Sequence, residues 1–336
     1  MNAINRYINS LEHPYKKNLC MEMQQMGVKM RFIAEQFRLI ELSYKGKKAY
    51  LYNEELFFNT QPNSYFTINK ELTKMLLSRQ GISTPKGTTA TTPQEAVQQR
   101  KKAHLKFPVV VKPIDLWKGM GVHLNIKNNS ELQAAMNAVL SLYTKKQSLN
   151  PEHPRHCLIE EMVPGNDHRV LVLRGKVIAC VMRIPATLIG DGTSSIHELI
   201  FALNQDRPDA FQLIVDAEVR ATLKRCSLKL SSILPKGQQV QVRAVANISQ
   251  GGRAIDYTDR ISARFKKVAI DSARTLGVDF VGIDLVTEDI TSNNPKQCYA
   301  VIEMNNNPDY AIHEKPIVEG QGVNVKRLLI QAWMNK

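Results

Sequence analysis

Gly282-Ile283-Asp284-Leu285 and, further along, Val301-Ile302-Glu303-Met304-Asn305 are two short apolar runs, each carrying a carboxylate. Read as adjacent strands, they bring Asp284 and Glu303 together. Asn305 stands two residues beyond Glu303, so the two-residue period of a strand puts both on one face. Oxygen ligands of this kind suit Mg2+ better than Zn2+. Two such ions bridged by one carboxylate would clamp the terminal phosphates of a nucleotide. Carboxylates set among apolar strand residues need a cation partner, which weighs against a purely structural reading.

Upstream, Val109-Val110-Val111-Lys112-Pro113 is followed by Gly119-Met120-Gly121-Val122. A lysine leaving a buried strand presents its ammonium at the strand edge, and a glycine-bearing loop exposes backbone N–H groups. Together they make a phosphate cradle. The pattern is not a Walker A loop, because it leads into a strand and not into a helix. Taken alone, a strand-end lysine is equally well read as a side chain reaching out to water. Between the two motifs lies Leu158-Ile159-Glu160-Glu161-Met162-Val163-Pro164-Gly165-Asn166-Asp167-His168-Arg169. A strand runs into a Pro-Gly connection with carboxylates on both sides. Glu160 or Glu161, and Asp167 from the far side, are suited to accept from an amine or from ribose hydroxyls; an ordinary acidic turn is the competing reading.

Val242-Arg243-Ala244-Val245-Ala246-Asn247-Ile248-Ser249-Gln250-Gly251-Gly252-Arg253 offers a rigid guanidinium fork suited to a phosphoryl group, followed by polar residues and a Gly-Gly bend. Asp256 and Asp259 beside it read as capping or ion-pair residues. Arg183-Ile184-Pro185-Ala186 leads to Gly190-Asp191-Gly192, which alone reads as a tight turn.

Periodicity places these motifs on a mixed chain. A helix closes at Gly27. A hairpin turns at Lys45-Gly46-Lys47, between 37–42 and 49–52. Asn69 caps a helix through Leu72, Met75, Leu76 and Leu77 that ends at Gly81. Thr92 and Pro93 start another, and Ser130 caps a third. Strands are expected at 107–112, 122–126, 157–162, 168–173, 177–183, 279–286 and 299–304, with a hairpin at Arg174-Gly175-Lys176 and a helix over 263–276 ending at Gly277. The tract 145–155 reads as a surface loop. This mixture indicates α+β lobes and not a strict βαβ alternation.

The chain has 336 residues, which suits two or three domains, and 43% apolar content, which disfavours disorder. No apolar stretch of about 20 residues is present, as a membrane-spanning helix needs, and Met1 to Asn18 lack the apolar core of a secretory signal. Five scattered cysteines without a CxxC pair suggest neither zinc nor disulfides, and the cytoplasm is the expected location. No HExxH, GxSxG or zinc-finger spacing occurs. Lys plus Arg exceeds Asp plus Glu by 45 − 31 = 14. The basic runs are short and not interleaved with aromatics as a single-strand nucleic-acid surface would be. From composition alone a basic enzyme with solvated lysines is the leading reading, with nucleic acid, an anionic membrane surface and acidic small-molecule ligands in competition.

The motifs in their order resemble the ATP-grasp carboxylate–amine ligases, in particular the ATP-grasp module of bifunctional glutathione synthetases and of cyanophycin synthetases. The resemblance covers roughly residues 65–320. The IPA…GDG and NISQGG segments are its most specific part. It implies an ATP-grasp fold, with two α+β lobes clasping ATP after a small N-terminal α/β region: residues 1–66, then 67–164 with the phosphate lid, then 165–336 with the magnesium and substrate site. It implies ATP and two Mg2+ ions as cofactors, with Mn2+ an alternative. By the same resemblance Lys70 and Lys112 hold ATP phosphates, Gly119, Gly121 and Val122 form the lid, and Glu160, Glu161, Met162 and Val163 form the adenine hinge. Asp167 takes the ribose position. Lys112 and Arg243 serve the transferred phosphate, and Asp284, Glu303 and Asn305 bind metal, with Glu303 bridging. Arg183, Asn247, Ser249, Gly251 and Gly252 fall on the substrate side, and Arg169 is divided between phosphate and structure.

The implied reaction joins a carboxylate and an amine substrate through an acyl phosphate, on an amino acid or small acidic peptide. A kinase on the same fold, and a basic nucleic-acid binder, are the alternatives. A homodimer is compatible with the sequence. Asn305-Asn306-Asn307-Pro308-Asp309-Tyr310 departs from the small residues usual at this place in cyanophycin enzymes, while His313 stands near where they carry histidines.

Overall fold

A computed structural model of the protein describes all residues except 1–2, 12–13, 53–54, 57, 115, 117–118, 146–155 and 336. The expected surface loop at 145–155 lies almost wholly outside the described residues.

Helices α1 (Ala3–Ser10) and α2 (Pro14–Gln25) pack on an antiparallel sheet of β1 (Lys29–Ala34), β2 (Leu39–Tyr44), β3 (Lys47–Tyr52) and β4 (Glu55–Leu56). The expected hairpin is β2–β3. Its turn residues Lys45 and Gly46 both have positive φ (45° and 83°), matching the twist of the strands they join. Elements here that go beyond the sequence reading are α1, β1, β4 and α3 (Gln61–Ile68), the last with polar residues that hide any apolar period. Helix α4 (Lys70–Arg79) begins at the expected cap, where Asn69 accepts from the N–H groups of Glu71 and Leu72 at 3.1 and 3.0 Å.

The next unit comprises β5 (Gly87–Ala90), α5 (Pro93–Lys102), β6 (Val109–Pro113), β7 (His123–Ile126), α6 (Asn129–Lys145) and β8 (Cys157–Glu161), with the antiparallel order β5-β8-β6-β7. The cap of α6 is Asn128, not Ser130: its side chain accepts from Glu131 N at 2.9 Å, while Glu131 reaches back to Lys127 N at 2.7 Å.

A third unit follows: β9 (Asn166–Leu173), β10 (Lys176–Ile184), β11 (Thr187–Ile189), α7 (Ile196–Asn204), α8 (Ala217–Arg225), β12 (Gln239–Gln241), β13 (Arg253–Asp256), α9 (Ala263–Leu276), β14 (Phe280–Thr287), β15 (Tyr299–Asn306), β16 (Val318–Glu319) and α10 (Val325–Met334). Six of its strands form one sheet in the order β15-β14-β9-β10-β13-β16, while β11 and β12 pair apart from it.

Strand alternation divides the work of the large sheet. Val170, Val172, Val281, Ile283 and Leu285 face α9, packing on Phe265, Ala269 and Ala273. The opposite face begins with Leu171, Leu173 and Phe280 under α10. Continuing along that second face come Asp167, Arg169, Gly282 and Asp284, where charge replaces apolar cover. Leu77 and Ile82 join the core of this sheet, so α4 leans on it although the sequence groups residues 67–82 with the preceding lobe. Ile330 of α10 completes the N-terminal core.

Candidate active site

Register turns the two opening motifs into a row across the sheet. Asp284 pairs with Glu303 on one side and with Arg169 on the other, Gly282 pairs with Asn305, and Asp167 pairs with Arg183. Arg169 holds both oxygens of Asp284, one of them from Nη2 at 3.2 Å. Arg183 Nη2 reaches both Asp167 oxygens at 2.7 and 2.9 Å and Asp284 Oδ2 at 2.9 Å. Two carboxylates and two guanidiniums thus balance on a buried surface. Burial pushes the Asp284 carboxyl up, but Arg169 and then Arg183 outweigh it and hold it below the usual carboxylate range. For Asp167 burial prevails over Arg183 and the carboxyl is raised.

Gly282 is required by this row. A Cβ there would lie 2.9 Å from Arg169 Cδ and 2.7 Å from Pro308 Cβ. Gly282→Ala is expected to push Arg169 off Asp284 and to cost about 1–3 kcal/mol, as overpacking does. Denaturant unfolding checks the stability loss, and nucleotide turnover at subsaturating Mg2+ checks the site.

Three lysines stand beside the row. Lys70, Thr73, Lys74 and Leu77 are the buried stripe of α4, at helical spacing. Lys112 leaves β6 4% exposed. Lys74 and Lys112 both ion-pair with Glu160, Lys112 at 2.7 Å. Lys70 donates to Leu116 O at 2.7 Å and pairs with Glu303 at 3.2 Å, tying the glycine loop to the carboxylate row. One carboxylate cannot offset two buried ammoniums, so the pocket carries a positive surplus for which an anion is the natural complement.

Burial lowers Lys112 to about 8, with Glu303 opposing the fall. Burial, followed by the Lys112 charge, drives Lys74 down as well. Below about pH 8 Lys112 is charged whether the chain is folded or not. Above it the folded protein sheds this proton first, while the unfolded chain keeps it up to the ordinary lysine range. The group's contribution to stability therefore rises with pH across that window, while its positive charge is lost. The KM for ATP is expected to climb above about pH 8, measured by phosphate release against pH.

The other expected residues fall as follows. Glu160 is enclosed by the two lysines and open to neither an amine nor a ribose. Glu161 accepts from Lys106 N at 3.1 Å. Met162 is exposed and Val163 half-buried on the link between the sheets. Asp167 is taken up by Arg183. Gly119 and Gly121 have φ of 69°, Val122 N donates to Gly119 O at 3.3 Å, and a Cβ on Gly119 would come within 3.3 Å of Val245 Cγ1. The loop therefore touches the segment that carries Arg243. Arg243 itself is held by Asp216 (2.9 Å), Glu218 (2.8 Å) and Ile214 O (3.1 Å), so its fork is directed to the start of α8 and not to the carboxylate row. Asn247 accepts from Ser249 N at 3.1 Å and Ser249 Oγ at 2.9 Å in a turn closed by Gly251 and Gly252. Asp191 accepts from Thr193 N and Ser194 N, confirming the tight-turn reading of Gly190-Asp191-Gly192. The sequence reading gave no role to Lys74, although a lysine on the apolar stripe of an amphipathic helix is a signal of buried charge.

Residues 67–198 match the RimK-like ATP-grasp domain family. Across 95% of this chain the fold superposes on 43% of a bifunctional glutathione synthetase from Pasteurella multocida, with TM-score 0.66 and 24% identity. The protein therefore has the ATP-grasp fold and carries a RimK-like ATP-grasp domain. Its homologues include cyanophycin synthetases and bifunctional glutathione synthetases. The cyanophycin synthetase of Synechocystis sp. is 35% identical over 258 residues, 74% of this chain and 28% of that one. The glutathione biosynthesis bifunctional protein GshAB of Enterococcus faecalis is 30% identical over 315 residues, 89% of this chain and 39% of that one. The chain thus spans well under half the length of these relatives. Among the described residues no helix is long and apolar enough to cross a membrane.

Proposed function

We propose that the protein is an ATP-dependent carboxylate–amine ligase that forms a peptide or amide bond on an amino acid or small acidic peptide. The observation that carries this reading is the junction of Lys70 with Glu303, which sets a buried lysine cluster with surplus charge directly against the Asp284–Glu303–Asn305 row.

The row fits a hard cation in the chemistry of its donors, two carboxylates and an amide, with Asp284 ligating only by sharing the oxygens that Arg169 and Arg183 hold. Among the described residues no group of three or more His, Cys, Asp or Glu side chains is arranged to hold a metal, so the set depends on Asn305 and on phosphate oxygens to complete it. Asp284, Glu303 and Asn305 would hold Mg2+, two ions in this proposal with Mn2+ able to replace them, and bound metal supplies neutralising charge to the transferred phosphoryl group. Lys70, Lys74 and Lys112 fix the phosphates. The Gly119–Val122 loop covers them and keeps water from the mixed anhydride that forms when the substrate carboxylate takes the γ-phosphate. The substrate amine then attacks that anhydride and phosphate leaves. Arg243 can serve the transferred phosphate only by exchanging Asp216 or Glu218 for it. Arg183, beside Asp284, belongs to the acid substrate.

The test is phosphate release over a matrix of carboxylates and amines. Release that needs both partners supports ligation, whereas a stable phosphorylated product formed without amine assigns a kinase.

A further inference from the structure

After β15 the chain turns back across the site face of the sheet. Asn307 adopts a left-handed conformation (φ 48°), Pro308 lies over Gly282, and the short turn Ala311–His313 packs on β10 and β13. Ala311 and Ile312 pack with Val181. Val181 pairs across the sheet with Arg169 and stands two residues from Arg183, on the same face. The turn therefore roofs the guanidinium end of the charged row.

His313 is 1% exposed, yet neither of its ring nitrogens has a hydrogen-bond partner among the described residues. Arg183 Nε and Asn305 Nδ2 are also buried without one. Buried polar groups left unpaired are costly and uncommon, and each calls for an explanation. Arg183 Nε can only donate, and a neutral imidazole supplies one further N–H; Asn305, three strands away on β15, is not part of this pair. The complement of such a set is an acceptor-only group, an oxyanion. Burial, with Arg169 and Arg183 nearby, holds the imidazole well below its usual range and hence neutral. It can donate without upsetting the balance of Asp167 and Asp284 against Arg169 and Arg183. His168, whose Nδ1 is likewise buried without a partner, differs in place: it lies on the opposite face, its ring edge-on to Tyr257 at 5.7 Å, away from the charged row.

We infer that His313, together with Arg183 Nε–H, is a carboxylate-binding residue that donates a hydrogen bond to the acid substrate. The inference rests on the ligase reading above, and it adds a residue and a bond that place the reacting carboxylate. In the ligase cycle the same N–H would follow that oxygen into the acyl phosphate.

The test uses the full chain loaded with Mg2+ and ADP, glutarate as a dicarboxylate probe, and NMR of the histidine side-chain N–H groups. The resonance that is missing in His313→Leu is expected to be the one that shifts, saturably, as glutarate is added to the wild type. His313→Asn, which keeps a donor, should retain most of the glutarate affinity. His313→Leu should weaken it about tenfold or more, the worth of one hydrogen bond to a charged group. Its Tm should hold or rise, since two unpaired nitrogens are removed from the interior. Unchanged ADP affinity in both variants confirms that the nucleotide side is intact. A glutarate titration that leaves the His313 resonance unmoved, or that shows no saturable binding, overturns the inference. So does a His313→Leu variant with lower Tm and unaltered glutarate affinity, which would make the imidazole a packing group. Failure of the wild type to bind Mg2+ and ADP at all would count instead against the ligase reading.

Discussion

Phosphate release by a Glu303→Gln variant is expected to fall about a hundred- to a thousandfold, the loss typical when one preorganised electrostatic group is removed from a transition state. Glutamine keeps the shape of the side chain and its place in β15, so the fold survives. What disappears is the charge at the one point where three demands meet. Glu303 pairs in register with Asp284, stands two residues from Asn305, and is 3.2 Å from Lys70. Losing it leaves the proposed metal set with one carboxylate and leaves Lys70 with Leu116 O. Circular dichroism and a thermal melt confirm folding, and phosphate release over a range of Mg2+ concentrations measures the loss. Turnover near the wild-type rate would place the metal elsewhere.

Glu160→Gln is expected to act on stability first. The residue is 2% exposed and is the shared counter-ion of Lys74 and Lys112. Removing one member of a buried ion pair typically costs about 3–5 kcal/mol, because the surviving charge stays buried and unpaired. Here two ammoniums survive. The loss should appear as a large drop in the denaturant midpoint at unchanged slope. Adding Lys74→Met to the same chain should recover much of it, since an apolar side chain suits that stripe of α4. The double variant should still bind ATP weakly, having lost both a proposed phosphate ligand and the group that positions Lys112. No recovery in the double variant would show that Glu160 matters for packing and not for charge.

The longer strands that frame the site, several caps and the carboxylate row could be read from sequence because their signals are local, whereas β1 and the short strands β4, β5, β11, β12, β13 and β16 could not. Asn305 faces the same way as Glu303 by strand parity alone, and Asn69 and Gly277 mark helix ends by their own chemistry. What escaped depends on partners distant in the chain. Glu160 reads as an open acceptor until α4 brings Lys74 to it. Asp167 reads as a ribose ligand until β10 brings Arg183 opposite. Arg243 reads as a free fork, although Asp216 and Glu218 at the start of α8 hold it. Lys74 was legible in principle, as a charge on a buried stripe, but its meaning requires the lysine on β6. In sequence His313 is marked only by its place near the histidines of cyanophycin enzymes; its interest comes from burial without a partner, which only the folded chain reveals. The basic surplus of the composition is likewise sharpened: the part that matters is the ammonium left over in the Lys74–Glu160–Lys112 group.

In the proposed reaction a substrate carboxylate becomes an acyl phosphate before an amine attacks it. The most direct measurement is phosphate release with 18O-labelled carboxylates across the matrix of acids and amines. Release is expected only when both partners are present, with one labelled oxygen carried from the carboxylate into the phosphate. Release of unlabelled phosphate, or a stable phosphorylated product that forms without any amine, would contradict it.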